Sequence, residues 1–391
     1  MTPTDRIKDF PAFLALVFCI VLAGQALAGE AKFETKAKWA ILMDAGTNSV
    51  LFEKNSEDLM PPASMSKLMT LAVIFRALKD GRISLDDEFS NSLYAWRTGG
   101  APSGTSAMFV PLKGSATLDQ LLQGIIVQSG NDASIIVAEG MSGSESAFAD
   151  EMMDYARKIG LTESNFRNST GLPDPNHYMT ALELGKLAIH VITEYPEYYH
   201  YFSQKEFRYR KHIFYSRNPL IYDGIGVDGL KTGYIRDSGY GLVISAKQRN
   251  QRLVVVVNGL KSKKARRAEG KRLLQWGFRS FRQWKLFEAG ETIGDALVWG
   301  GTKRSVNLAG KGEVSILLPR SASRKVKAAI IYQGPLKAPI SKGDQIAYLR
   351  VTGANEVVNK IPLYAAEDIG EGSIWMKGVQ SLFYLAFGWV L

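Results

Sequence analysis

The stretch Pro61-Pro62-Ala63-Ser64-Met65-Ser66-Lys67-Leu68-Met69-Thr70-Leu71-Ala72-Val73-Ile74-Phe75 decides the fold. After the two prolines, residues 64–79 place Met65, Leu68, Met69, Ala72, Val73 and Phe75 on one broad apolar surface, and Asp80-Gly81 ends the run. The pattern predicts a buried helix, which other elements must cover on most sides. Upstream, residues 39–43 and 50–53 read as strands around the turn Gly46-Thr47-Asn48, and downstream residues 241–246 and 253–258 read as strands joined near Arg249-Asn250. Helical periodicity occupies residues 118–127, 133–139, 147–159 and 180–192 between them. Helices inserted between early and late strands predict one α/β domain with an interrupted sheet. The basic, partly amphipathic segment 261–282 is expected to return over that sheet.

Beyond residue 286 the period changes. Short strand candidates at 297–299, 314–318, 326–332 and 345–351, separated by Gly- or Pro-containing turns, predict a second, mainly β domain ending near 368. A chain of 391 residues agrees with two or three domains. With 46% hydrophobic and 22% charged residues it is neither disordered nor fibrous. The single cysteine, Cys19, excludes a disulfide scaffold and a cysteine-rich metal centre. The formal charge of +10 favours anionic surfaces. No phosphate loop or aromatic-basic module points to a nucleotide or to nucleic acid.

The two ends read differently. Arg6 and Lys8 precede an apolar run at 13–23, and Ala26-Leu27-Ala28 supplies a small-x-small site, so residues 1–28 are expected to be a signal peptide cleaved after Ala28. The alternative, an uncleaved anchor, would span only about 16 Å as helix against roughly 30 Å of hydrocarbon. Residues 372–391 carry one lysine, Lys377. On a helix they set Lys377, Ser381, Tyr384 and Gly388 in one stripe against Trp375, Val379, Leu382, Phe383, Ala386 and Val390. That amphipathic helix suits peripheral attachment to a membrane interface, the alternative being docking on the protein's own core.

Three short patterns carry chemistry. Ser64 and Lys67, three residues apart, share one side of a helix, so a neutral lysine can take the hydroxyl proton and activate the oxygen. In Ser129-Gly130-Asn131, between two helical segments, a second hydroxyl can relay a proton and an amide can orient a substrate amide. In Lys231-Thr232-Gly233, the lysine can attract a terminal carboxylate, Thr232 can add a hydrogen bond, and Gly233 permits close approach. Each pattern alone is ordinary; their order is not. Together with Gln128-Ser129-Gly130-Asn131-Asp132, Asn168-Ser169-Thr170-Gly171-Leu172 and Val227-Asp228-Gly229-Leu230-Lys231-Thr232-Gly233, the chain resembles the low-molecular-mass penicillin-binding D-alanyl-D-alanine carboxypeptidases, serine peptidases of bacterial cell-wall metabolism.

The resemblance implies a transpeptidase-like fold shared with β-lactamases. An interrupted antiparallel sheet with a helical subdomain would cover 30–285, a small β-sandwich 286–368 and an amphipathic anchor 372–391. By similarity Ser64 is the acylated nucleophile, Lys67 its base and Ser129 part of the proton circuit, while Asn131, Lys231, Thr232 and Gly233 bind substrate. The Ser64 N–H would be one oxyanion donor; the second is not assigned. The implied partners are stem peptides ending in D-Ala-D-Ala, β-lactams that trap Ser64, and the periplasmic face of the inner membrane. No cofactor or metal is expected: His177, His190, His200 and His212 lack ligand spacing. No oligomeric state is assigned. The sequence departs from the family at Ile235, where related enzymes often carry a threonine hydroxyl. Three alternatives stay open: a β-lactamase, for which Glu163 offers only a poor match to the usual deacylating glutamate, a D,D-endopeptidase, and a noncatalytic wall-binding protein.

Overall fold

Apolar side chains on nearly every face of the 67–79 segment require a protein interior around it, and the architecture supplies one. A computed structural model describes residues 33–320, 327–352, 358–375, 377, 378 and 381. The expected signal peptide, 1–28, lies outside these residues, as does most of the expected terminal helix. Of the latter, Ile374 and Trp375 are helical and almost wholly exposed, at 87% and 86%. Among the described residues no helix is long and apolar enough to cross a membrane.

The chain begins with the hairpin β1 (Trp39–Asp44) and β2 (Val50–Lys54), then makes a 3₁₀ turn over Ala63–Ser66 into α1 (Lys67–Lys79). A helical layer follows, with β3 (Glu88–Ser90), α2 (Leu93–Gly99), β4 (Ser115–Thr117), α3 (Leu118–Gln123), α4 (Asn131–Ser142), α5 (Glu145–Lys158) and α6 (Ala181–Glu194). Side chains start these helices where orphan backbone N–H groups need acceptors: Thr117 forms a capping box with Gln120, and Ser144 and Thr180 accept from the N–H groups of Ala147 and Glu183. The hairpin β5 (Glu206–Tyr209) and β6 (His212–Tyr215) leads to β7 (Val227–Ile235), β8 (Gly239–Gln248), β9 (Gln251–Leu260) and α7 (Lys263–Ser280).

β1 pairs antiparallel with β9, which closes the interrupted sheet in the order β2-β1-β9-β8-β7. The basic segment does cover this sheet. Its glycines let α7 lie close: a Cβ on Gly270 would stand 2.7 Å from Ile244 Cδ1, and one on Gly277 would stand 2.8 Å from Leu42 Cδ2. The other face of the sheet packs on α6 and, through it, on α1: Ile41, Met43, Val254 and Val256 share one core with Leu68, Phe75, Leu184 and Leu187.

After α7 comes β10 (Phe281–Phe287), followed by β11 (Thr292–Trp299), β12 (Ser305–Ala309), β13 (Val314–Pro319), β14 (Lys327–Ile331), β15 (Leu336–Lys337), β16 (Gln345–Thr352) and β17 (Val358–Ala365). The sheet β14-β16-β17-β12-β11-β15 and the pair β10-β13 enclose a separate apolar core containing Val298, Val306, Ile316, Leu349 and Leu363. This is the expected small β-sandwich.

Four local expectations change. Ser64 sits in a 3₁₀ turn and not in the helix that Lys67 begins; ψ of −17° at Ser66 and −15° at Lys67 wind the chain more tightly than an α-helix. Residues 124–128 form a π-helical turn, not a continuation of α3. Asn131 opens α4 and so is not in the connecting turn. Residues 228–233, to which the apolar pattern gave no strand, are the body of β7, the edge strand of the sheet. Their two glycines weaken the strand pattern, but β8 pairs with them from Gly229 to Gly233, with a bulge at Asp228.

Candidate active site

The 3₁₀ geometry brings Ser64 and Lys67 together, because residues three apart eclipse when three residues make one turn. Lys67 Nζ is 3.1 Å from Ser64 Oγ, and it donates to Asn131 Oδ1 at 2.6 Å and to the Thr170 carbonyl at 2.5 Å. This count matters. A neutral amine has two N–H groups, which Asn131 and Thr170 satisfy, and one lone pair, which then faces the Ser64 hydroxyl.

Burial of Lys67 pushes its ammonium down to about 7, and positive Arg217 assists, while Glu145 and Asp132 pull the other way. The fall from 10.5 corresponds to roughly 5 kcal/mol against the charged form, so desolvation outweighs the two carboxylates. Ser66, the competing hydroxyl, is fully buried and donates to the Ala63 carbonyl at 3.0 Å, which leaves Ser64 as the hydroxyl facing the cleft.

Thr170 enters through its backbone, which no side-chain pattern reveals. Asn168 Oδ1 accepts from Thr170 N (3.1 Å), Thr170 Oγ1 (2.9 Å) and Gly171 N (2.7 Å), and so shapes this loop. Thr70 Oγ1 on α1 donates to the Ser169 carbonyl at 2.7 Å, and buried Glu145 accepts from Ser169 N and Oγ at 3.0 and 2.6 Å. Gly171 has φ 72°, and a Cβ there would stand 2.1 Å from the Ala63 carbonyl oxygen. Gly171→Ala is therefore expected to cost about 2–4 kcal/mol of stability by strain and overpacking. It should also displace Thr170 and slow acylation of Ser64 about tenfold or more; urea unfolding and acylation by a reactive ester check both.

The second and third patterns meet directly. Lys231 Nζ donates to Ser129 Oγ at 2.7 Å and to the Thr232 carbonyl at 3.2 Å. Lys231 is 1% exposed, and burial, with positive Lys67, Arg217 and Arg266 nearby, holds its ammonium well below the ordinary lysine range. Its geometry is that of a partner to Ser129, not of an open charge. Asn131 likewise spends both polar atoms within the protein, since Nδ2 donates to Thr105 Oγ1 at 2.9 Å. Gly233 lines the cleft and also serves packing: a Cβ there would stand 2.9 Å from the Pro62 carbonyl oxygen, so glycine lets β7 lie against the Ser64 turn.

These residues surround a cleft of about 520 Å³ lined by Ser64, Ser129, Thr232 and Gly233, with Ser106, Arg217, Tyr234, Tyr240, Lys263 and Arg266. Lys67, Asn131 and Lys231 lie beneath it through the bonds just described. The lining holds three cations and no carboxylate. Sequence reasoning missed Arg217, which lies in no recognisable pattern. The fold seats it by donation from Nη1 to Ser106 Oγ (2.6 Å) and from Nε to Gln128 Oε1 (3.4 Å). Glu163 is exposed and does not line the cleft. His177 is buried against Phe166 and is likewise not among the lining residues. Asp228, a charge partner only, pairs with Arg252 at 2.8 Å.

Comparison with known proteins places this geometry. The chain is 35% identical over 377 residues to D-alanyl-D-alanine carboxypeptidase DacA of Haemophilus influenzae, covering 96% of this chain and 95% of that protein. It is 36% identical over 365 residues to D-alanyl-D-alanine carboxypeptidase DacC of Escherichia coli, covering 92% and 91%. The crystal structure of penicillin binding protein 5 from Haemophilus influenzae superposes with a TM-score of 0.78 at 36% identity, covering 88% of this chain and all of that one. Residues 281–371 match the C-terminal domain of penicillin-binding protein 5. Residues 25–262 match the D-alanyl-D-alanine carboxypeptidase peptidase family, and with relatives this similar along nearly the whole chain, the protein belongs to that family.

Proposed function

We propose that the protein is a serine-type D-alanyl-D-alanine carboxypeptidase that removes the terminal D-alanine from peptidoglycan stem peptides and is acylated by β-lactams at Ser64. One observation carries this reading: the Lys67 amine, buried and with both N–H groups occupied, faces the Ser64 hydroxyl at 3.1 Å on the floor of a cationic cleft.

The edge strand β7 offers unpaired backbone groups to an extended peptide. The substrate's terminal carboxylate would meet Arg217 and the Thr232 hydroxyl, and its scissile carbonyl would meet Ser64. As Ser64 Oγ attacks, its proton passes to Lys67 Nζ and the carbonyl π electrons move onto oxygen, where the Ser64 N–H is one donor to the oxyanion. Collapse breaks the C–N bond, and the proton taken up by Lys67 passes through Ser129, which Lys231 holds, to the departing nitrogen, so that terminal D-alanine leaves as a neutral amine and Lys67 is again neutral. Water then attacks the Ser64 ester by the same proton route and releases the shortened peptide. A β-lactam forms the same ester, but its ring-opened amine stays tethered.

The β-lactamase alternative is disfavoured because no carboxylate lines the cleft to assist deacylation. Endopeptidase activity shares every step through the acyl-enzyme and differs in what leaves. We assign residues 30–285 to the catalytic domain, 286–368 to the β-rich domain and 372–391 to a peripheral membrane anchor, a first boundary that falls within β10 (Phe281–Phe287). The exposed Ile374 and Trp375 support attachment through this segment, which we assign to the periplasmic side of the inner membrane after cleavage near Ala28.

Intact-protein mass spectrometry with a β-lactam, alongside D-alanine release from a D-alanyl-D-alanine peptide, tests the reading. A Ser64 adduct together with release is expected; absence of both in folded protein overturns it. Within this reading Arg217→Gln should raise KM for the peptide about tenfold or more, because an interface charge meeting a carboxylate is lost, while leaving acylation by a neutral ester nearly unchanged. Steady-state kinetics on the two substrates checks the split.

A further inference from the structure

A second cavity, of about 360 Å³, adjoins the catalytic cleft and shares Tyr234 and Tyr240 with it. The two rings, with centroids 4.2 Å apart and planes tilted by 30°, line both. Lys38, Arg236 and Lys261 line this cavity against one acid, Asp237. Two lining residues also hold orphan polar atoms: Trp39 Nε1 and Ser238 Oγ are buried without a hydrogen-bond partner among the described residues. Both atoms are shielded from the cavity, whose chemistry is therefore set by its three cations and its continuity with the catalytic cleft at Tyr234 and Tyr240.

We infer that this cavity is an accessory site for a carboxylate of the peptide substrate, upstream of the scissile bond. The inference rests on the carboxypeptidase reading. A peptide laid along β7 with its terminal carboxylate at Thr232 and Arg217 runs past Gly233 and Tyr234 toward Ile235 and the turn at 236–238. At about 3.3 Å per residue, three steps from Thr232 reach the end of β7. A stem peptide carries a free α-carboxylate on its γ-linked glutamyl residue, three residues before the terminal alanine. Lys38, Arg236 and Lys261 can neutralise it. Lys38 is held for this role, with its ammonium 4.2 Å from the Trp39 ring centroid.

The test compares the full chain with the triple variant Lys38→Gln, Arg236→Gln, Lys261→Gln, whose three positions are exposed and tolerate glutamine. Three substrates are used: a stem pentapeptide with a free glutamyl α-carboxylate, the same peptide as the α-carboxamide, and an N-acyl-D-alanyl-D-alanine lacking upstream residues. Wild type is expected to prefer the carboxylate peptide to the carboxamide about tenfold in kcat/KM, since three partly exposed charges each contribute modestly. The variant should handle the two within about twofold and match wild type on the N-acyl dipeptide. Equal use of both pentapeptides by wild type, or an equal loss on the N-acyl dipeptide in the variant, overturns the inference. Failure of wild type to release D-alanine even from the N-acyl dipeptide sinks the carboxypeptidase reading itself, whereas release without a carboxylate preference sinks only the accessory site.

Discussion

Ser64→Ala is expected to lower D-alanine release by about 10⁴-fold or more and to abolish the β-lactam adduct, since no other hydroxyl shares its relation to Lys67. The variant should fold normally. Ser64 is half-buried, its hydroxyl lies 3.1 Å from Lys67 Nζ and 3.5 Å from the Thr170 carbonyl, and because Lys67 keeps Asn131 and Thr170 as partners the loss costs about 1 kcal/mol. Unchanged thermal unfolding together with loss of adduct mass separates chemistry from stability. An adduct that persists on Ser66 or Ser129 would overturn the assignment. A cellular effect that survives Ser64→Ala but not removal of the β-rich domain would favour the noncatalytic alternative.

Lys67→Met should slow acylation about 10³-fold, the usual scale for losing a positioned general base. Methionine keeps much of the buried volume and removes an amine that folding must desolvate, so stability should change little. Lys67→Arg should be as inactive, because a guanidinium does not surrender its proton near neutrality. The wild-type pH profile follows from the same burial. The base is the neutral amine, and with Lys67 pushed down to about 7 its neutral fraction falls tenfold per pH unit below that value. Acylation should therefore decline on a limb centred near 7 and level off above it, the limb reporting Lys67 and neighbouring Lys231 as a coupled pair. Stopped-flow acylation by a chromogenic β-lactam across pH 5 to 9 measures this, and a flat profile would remove Lys67 as the base.

Much of this site was legible in the sequence because its parts are local. Ser64 and Lys67 are three residues apart, and either α-helical or 3₁₀ geometry brings their side chains together. Four of the five sheet strands, β1, β2, β8 and β9, and the α1 core helix announced themselves through apolar periodicity, and α7 through its amphipathic pattern, whereas the glycine-containing edge strand β7 did not. The roles of Asn131 and Lys231 were harder to see. Both look like groups offered to substrate, yet burial turns Asn131 into the holder of Lys67 and Lys231 into the partner of Ser129. Thr170 contributes a backbone oxygen, which every residue possesses and no motif marks. Arg217 stands far along the chain from the residues it joins, bonded to Ser106 across 111 positions.

The sequence by itself determined which atoms can react: a hydroxyl, two lysines and an ordered set of short patterns on an interrupted α/β frame, followed by a β-rich region. Only the tertiary structure decided how those atoms behave. Burial sets which lysine is neutral, and the packing of Gly233 and Gly171 around the Ser64 turn sets the distances. The edge position of β7 decides where a peptide can lie. Desolvation, close approach and cleft shape depend on residues distant in the chain becoming neighbours, and no local reading of side chains contains that information.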